Sequence, residues 1–157
     1  IHHWRFCAVA CRSQARLRVH PAAFKSGCVM SGTEYLLDTN FILGMLKATP
    51  TVLDVINRER LKAGQCAYSA ITRMELLGFP GITGDEDSLI RSRLSMFTYL
   101  PVDVAVEDRA IALRRSRRVK LPDALIAATA LTYGLRLLTL DVGLQAVFRD
   151  AASGSLN

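Results

Sequence analysis

The sequence predicts an α/β domain whose short parallel sheet is covered by helices on both faces. Three observations carry that expectation. Short apolar runs alternate along the chain with longer segments of helical period. Such alternation suits parallel strands, because parallel neighbours are joined by crossovers and not by tight turns. One helical segment, residues 123–133, is apolar almost all round, as a helix packed deep against a sheet would be.

The elements follow in order. Residues 34–38 (Glu34-Tyr35-Leu36-Leu37-Asp38) are an apolar run closed by an acid, and read as the first strand. Two helices, 40–47 and 50–62, are separated by Thr49-Pro50. Residues 65–68 make a short second strand. Ser69 then caps a helix that runs to Leu77 and is stopped by Gly78 and Pro80. After a loop from Gly81 to Gly84, the acids Asp85, Glu86 and Asp87 favour the positive end of the next helix, whose Ile90, Leu94 and Phe97 share one face. Residues 98–102 are a third strand, and Val106, Ala110 and Leu113 turn another helix inward. Pro122 opens the apolar helix, whose alanines Ala124, Ala127, Ala128 and Ala130 permit close backbone approach. A fourth strand at 136–140 ends at Asp141, and a final helix covers 143–149.

Charge and cysteine divide the chain unevenly. The formal charge is +6, but residues 1–33 hold five basic residues and no acid. The remainder, with 15 basic and 14 acidic residues, lacks the strongly basic surface of a typical nucleic-acid binder. What stands out is one cluster: Arg114, Arg115, Arg117, Arg118 and Lys120. Cys66 is alone beyond residue 33, which rules out an internal disulfide there and favours a reducing compartment, the cytoplasm. No apolar stretch approaches the length of a membrane span. The expected organisation is an unstructured or upstream-translated extension at 1–29, one domain at 30–150 and a tail at 151–157. Met30 stands at the compositional break.

Absences narrow the chemistry. All three histidines lie in the first twenty residues, so the domain cannot build a Ser-His-Asp triad or a Cys-His pair. There is no glycine-rich dinucleotide or phosphate loop. Water activation by an oxygen-ligated metal remains. Four acids suit it. Asp38 and Asp141 end strands, where ligands of open α/β sheets bind. Glu75 lies among apolar helix residues, with Thr72 one turn earlier as a donor to it. Asp123 sits in the first turn of the apolar helix, whose dipole is expected to keep its pKa low. Each has a plainer reading: Asp38 and Asp141 as caps, Glu75 as an exposed helix residue, Asp123 as a complement to the dipole. Together they form an all-oxygen set that selects Mg²⁺ or Mn²⁺ over zinc.

Four stretches carry a family resemblance: Leu37-Asp38-Thr39-Asn40, Ser69-Ala70-Ile71-Thr72-Arg73-Met74-Glu75-Leu76, Leu121-Pro122-Asp123-Ala124-Leu125-Ile126-Ala127-Ala128-Thr129-Ala130, and Leu138-Thr139-Leu140-Asp141. In order and spacing they resemble a PIN-domain ribonuclease, more narrowly a VapC-type toxin of a type II toxin–antitoxin pair, over residues 33–148. The resemblance implies a Rossmann-like three-layer α/β/α PIN domain with a short central parallel sheet. It implies a Mg²⁺- or Mn²⁺-dependent endoribonuclease acting on RNA, a homodimer, and a cognate antitoxin that inserts a segment into the active site. Asp38, Glu75, Asp123 and Asp141 take the family's acidic positions, as metal ligands and catalytic residues. The family often has an aromatic residue three positions after its last acid; here Leu144 stands there.

Two other readings stay open. A phosphatase-like hydrolase with Asp38 as nucleophile would want a second Asp where Asn40 stands. A catalytically inactive PIN-like module would bind RNA or protein without cleaving. The basic cluster also has two readings: a solvated complement to a helix C-terminus, or RNA and antitoxin contact led by Arg115 and Arg118. The break at Met30 predicts that deleting residues 1–29 leaves the melting temperature and any cleavage activity unchanged within error. A large loss of either, measured side by side with the full chain, would refute it.

Overall fold

The computed structural model describes residues 32–154. The extension expected at 1–29 lies outside the described residues. The order is β1 (Tyr35–Leu37), α1 (Thr39–Leu46), α2 (Pro50–Glu59), β2 (Cys66–Ser69), α3 (Ala70–Leu77), α4 (Gly84–Leu94), β3 (Thr98–Leu100), α5 (Val104–Ser116), α6 (Leu121–Thr132), β4 (Arg136–Leu138) and α7 (Val142–Ala152), with a 3₁₀ turn at Ala63–Gln65 before β2. The fold is a three-layer α/β/α domain around a four-stranded, all-parallel sheet in the order β3-β2-β1-β4.

The two-residue period of a strand divides the core in two. Tyr35 and Leu37 of β1, with Cys66 and Tyr68 of β2, pack on one face against Phe41, Ile42, Val52 and Leu76. Leu36 and Ala67 point the other way, against Val106, Leu113 and the alanines of α6. Strand order explains why helices occupy both faces. The chain steps from β1 to β2 to β3 in one direction, then returns past β1 to β4. Right-handed crossovers place α1–α4 on one face, and the reversal sends α5 and α6 to the other.

The predicted elements are present, with shifted ends. All four strands are shorter than expected, because Asp38 leaves the sheet to cap α1 and the chain diverges after Leu138. Thr83 and Glu86 form a reciprocal capping box that starts α4 at Gly84. Asp103 caps α5 by accepting from the Val106 N–H at 2.9 Å, so that helix begins earlier than its apolar face alone suggests. Helix α7 continues through Ala152, two residues into the expected tail, because Ala151 is buried against the core. Helix α6 is as buried as its composition implies: Ala124, Ala127, Ala128 and Ala130 have no exposed surface. Gly134 then takes a left-handed φ of 65° and turns the chain into β4.

Helices α1 and α2 meet at Gly44. A Cβ there would lie 2.5 Å from Val52 Cγ2 and 3.0 Å from Thr49 Oγ1. Val52 is fully buried and β-branched, so it has little room to yield. Gly44→Ala should therefore destabilise the domain by about 1 kcal/mol or more in urea unfolding, despite the better helix propensity. In a Val52→Ala background the same change should become stabilising, by up to about 1 kcal/mol. Equal effects in both backgrounds would refute the clash.

Candidate active site

The reversal of strand order between β1 and β4 creates a crevice at the carboxyl ends of those two strands. Asp38 and Asp141 occupy its two sides. The strand ends are tied together there: the Asp38 N–H donates to the Leu138 carbonyl at 3.0 Å.

Asp38 is only 4% exposed. Its Oδ1 accepts from the Thr39 N–H at 2.7 Å, and its Oδ2 accepts from Thr139 Oγ1 at 2.7 Å. The cap role and the site role thus coexist, since one oxygen caps α1 while the other reaches across to β4. Burial raises its pKa above the ordinary 3.8; the two hydrogen bonds oppose the rise, and the charges of Glu75 and Asp123 add to it. Thr139 does two jobs, because its hydroxyl also accepts from the Asp141 N–H at 3.0 Å.

Glu75 lies on the exposed side of α3. Its expected donor, Thr72, does not reach it. Thr72 is fully buried and bonded to Ser69 within the cap of α3, since side chains at these two positions face different surroundings on so short a helix. The donor is Thr39, whose hydroxyl makes a short bond to Glu75 Oε2 and links α1 to α3.

Asp123, in the first turn of α6, is half-buried. Its pKa is raised, contrary to the low value expected from the helix dipole. Partial burial dominates, the charge of Asp141 adds to it, and Lys120 only partly offsets both. Asp141 is exposed and caps α7, its Oδ1 accepting from the Leu144 N–H at 2.9 Å.

All four acids line one cavity of about 770 Å³, together with Glu86, and no lysine or arginine contributes to its wall. The other half of the wall is apolar: Leu43, Met74, Phe79, Pro80, Ile82 and Ile90. An oxygen-only, uniformly negative donor set fits a hard divalent cation, and the raised pKa values of Asp38 and Asp123 are the mark of carboxylates without enough counter-charge. Among the described residues no three such side chains converge closely enough to hold an ion between them. Asp38, Glu75 and Asp141 are each tied to a separate hydrogen-bond donor instead.

Several site residues were not foreseen. Thr139 had no signal beyond its place before a strand-end acid, and Thr39 was read as a cap. The apolar half could have been suspected from Gly78-Phe79-Pro80-Gly81, a turn that presents an aromatic. Arg115 and Arg118 do not reach the cavity wall; Arg115 lines a separate groove between α5 and α6. Arg117 pairs with Asp150 at 3.0 Å, which removes it from the basic cluster.

The raised pKa of Asp38 sets the sign of a pH effect. The folded state holds that proton more tightly than the unfolded chain, so this carboxyl favours folding below about pH 3.8 and that stability is lost as pH rises through the folded pKa. Asp38→Asn removes the charge. In EDTA, the mutant should gain on wild type as pH rises through this window, by about 1 kcal/mol at neutral pH. Urea unfolding at both ends of the window measures it; a difference independent of pH would leave Asp38 as a cap alone.

A family model for the PIN domain matches residues 35–149. A search of the curated proteins found no match. Among solved structures, a toxin–antitoxin complex from Klebsiella pneumoniae contains a chain 30% identical, with 69% of this chain and 87% of that chain covered and a TM-score of 0.60. FitAcB from Neisseria gonorrhoeae is 29% identical over 73% of this chain and 93% of that chain, also at 0.60. VapBC2 from Rickettsia felis, bound to a promoter DNA fragment, is 19% identical over 73% and 93%, at 0.56, and shares the fold. With the family model running from the first residue of β1 into α7, and with the solved relatives matched over most of their own length, this chain belongs to the PIN-domain family.

Proposed function

We propose that this chain is a Mg²⁺- or Mn²⁺-dependent endoribonuclease, the VapC-type toxin of a toxin–antitoxin pair, acting in the cytoplasm as a homodimer and restrained by a cognate antitoxin. One observation supports this most: the cavity at the sheet's switch point takes acids from four elements into its wall and no basic residue. An anionic substrate can approach such a wall only with cations between, which ties phosphodiester chemistry here to divalent metal. Asp38, Glu75, Asp123 and Asp141 would hold the ion, and once bound it would lower the pKa of water and clamp the phosphate for in-line displacement.

The residues of the chain supply position. Thr139 holds the Asp38 carboxylate from β4 and the Asp141 backbone on its other side. Thr39 does the same for Glu75 from α1. The apolar half of the cavity excludes water from one side of the reacting group and can seat a base or an apolar side chain. A restraining antitoxin is supported by the Klebsiella relative, solved as a toxin–antitoxin complex. Charge complementarity favours a basic antitoxin segment at the acidic wall. The inactive-module reading draws on the separate tethering of the carboxylates, and a cleavage assay decides between the two.

Purified protein should cleave RNA with Mn²⁺ or Mg²⁺ and not with EDTA, and Asp38→Asn, Glu75→Gln and Asp123→Asn should each reduce cleavage to background. At a hundredfold excess over its Kd, Mn²⁺ should stabilise wild type by about 2.7 kcal/mol and stabilise Asp38→Asn less. Cleavage that survives EDTA, or Mn²⁺ stabilisation equal in the two proteins, would overturn the metal site.

A further inference from the structure

We propose that the exposed face of α5 is a self-complementary interface that pairs this chain with a second copy, antiparallel and two-fold about Ile111. This deepens the homodimer reading above and rests on it. The first observation is apolar exposure: Val104 is 69% exposed, Ile111 47% and Leu121 50%. These lie around a groove of about 550 Å³ between α5 and α6, to which Val102 and Leu125 also contribute. An exposed apolar patch with a charged rim is the form of a protein interface.

The second observation is how charge is ordered around that patch. Counting along α5 from Ile111, Glu107 stands four residues before and Arg115 four after. Asp108 stands three before and Arg114 three after. At 3.6 residues per turn, these four side chains and Val104 fall within about one-sixth of a turn to either side of Ile111, on one face. All four charged side chains are exposed, and none is in an intrachain ion pair among the described residues. In an isologous contact, residue i of one copy meets j of the other and j meets i. An antiparallel α5–α5 pair centred on Ile111 therefore sets Glu107 against Arg115 and Asp108 against Arg114, each twice, with Ile111 against Ile111 between them.

Other occupants fit less well. Acids early and bases late in a helix complement its dipole. That accounts for the signs but leaves Val104 and Ile111 in water. A nucleic acid would meet Glu107 and Asp108 beside the arginines, and those carboxylates repel phosphate. An unrelated protein partner has no reason to match a pattern symmetric about one residue. The assignment takes Arg115 away from RNA and gives it to the partner copy.

Sedimentation equilibrium of the full chain tests this with wild type, Ile111→Glu, Glu107→Arg, Arg115→Glu and the double reversal Glu107→Arg/Arg115→Glu. Wild type should be a dimer. Ile111→Glu and each single reversal should raise the dimer Kd by about tenfold or more, and the double reversal should recover most of that loss, because opposite charges face each other again. A wild-type dimer indifferent to all four variants would overturn this surface and leave the homodimer reading standing. A wild-type monomer would overturn both. Weaker RNA or antitoxin binding by Ile111→Glu at unchanged mass would give the face to that partner and overturn the proposal.

Discussion

The buried carboxylate of Asp38 is the constraint on which the site depends. A charge carried into so dry a position at the end of the central strand must be met by donors, and the fold provides two from different elements: the first amide of α1 and the hydroxyl of Thr139 beyond β4. Because β1 and β4 are neighbours only through the reversal of strand order, the Asp38–Thr139 bond is available only when the whole topology is in place. It also sets Asp141, whose amide leans on the same hydroxyl. Local capping, strand pairing and the geometry of the candidate site are thus one arrangement.

The site is electrostatically one-signed and chemically two-sided. Its acids come from the loops and helix starts that follow β1 and β4, together with α3 and α6. Its apolar half comes from α1, α3, α4 and the turn through Phe79. Like charges gathered there oppose folding in the absence of counter-ions, which is the direction in which the pKa values of Asp38 and Asp123 are displaced. Stability given up at such a site is ordinary where function requires it.

Much of this was legible in the residues. The Tyr35-Leu36-Leu37 run, the Ser69 cap and the alanine-rich 124–130 segment each signal a structure governed by near neighbours, and all three are present. The four acids could be named because each closes a strand or opens or interrupts an apolar helix. Long-range pairing was not legible. Nothing in the sequence tells Thr39 from Thr72 as the partner of Glu75, since that choice depends on how α1 and α3 cross. The low pKa expected of Asp123 failed for the same reason: the helix terminus is local, whereas the Asp141 charge that opposes it arrives from a different strand. Strand ends were overextended because apolar residues such as Leu140 continue past the point where backbone pairing stops.

The alanine seating of α6 has a mechanical consequence. Side chains with no free rotamers, packed at full burial against the sheet, leave that helix neither room to slide nor slack to absorb a shift. Asp123 rides on its first turn and is therefore the fixed jaw of the cavity. Glu75 projects from the open side of α3, and the one hydrogen bond recorded for its carboxylate comes from a threonine hydroxyl. Any closure around a bound ion or strand must come chiefly from that second jaw. The compliance of this domain is then concentrated on the α3 side of the crevice, with the α6 side serving as its anvil.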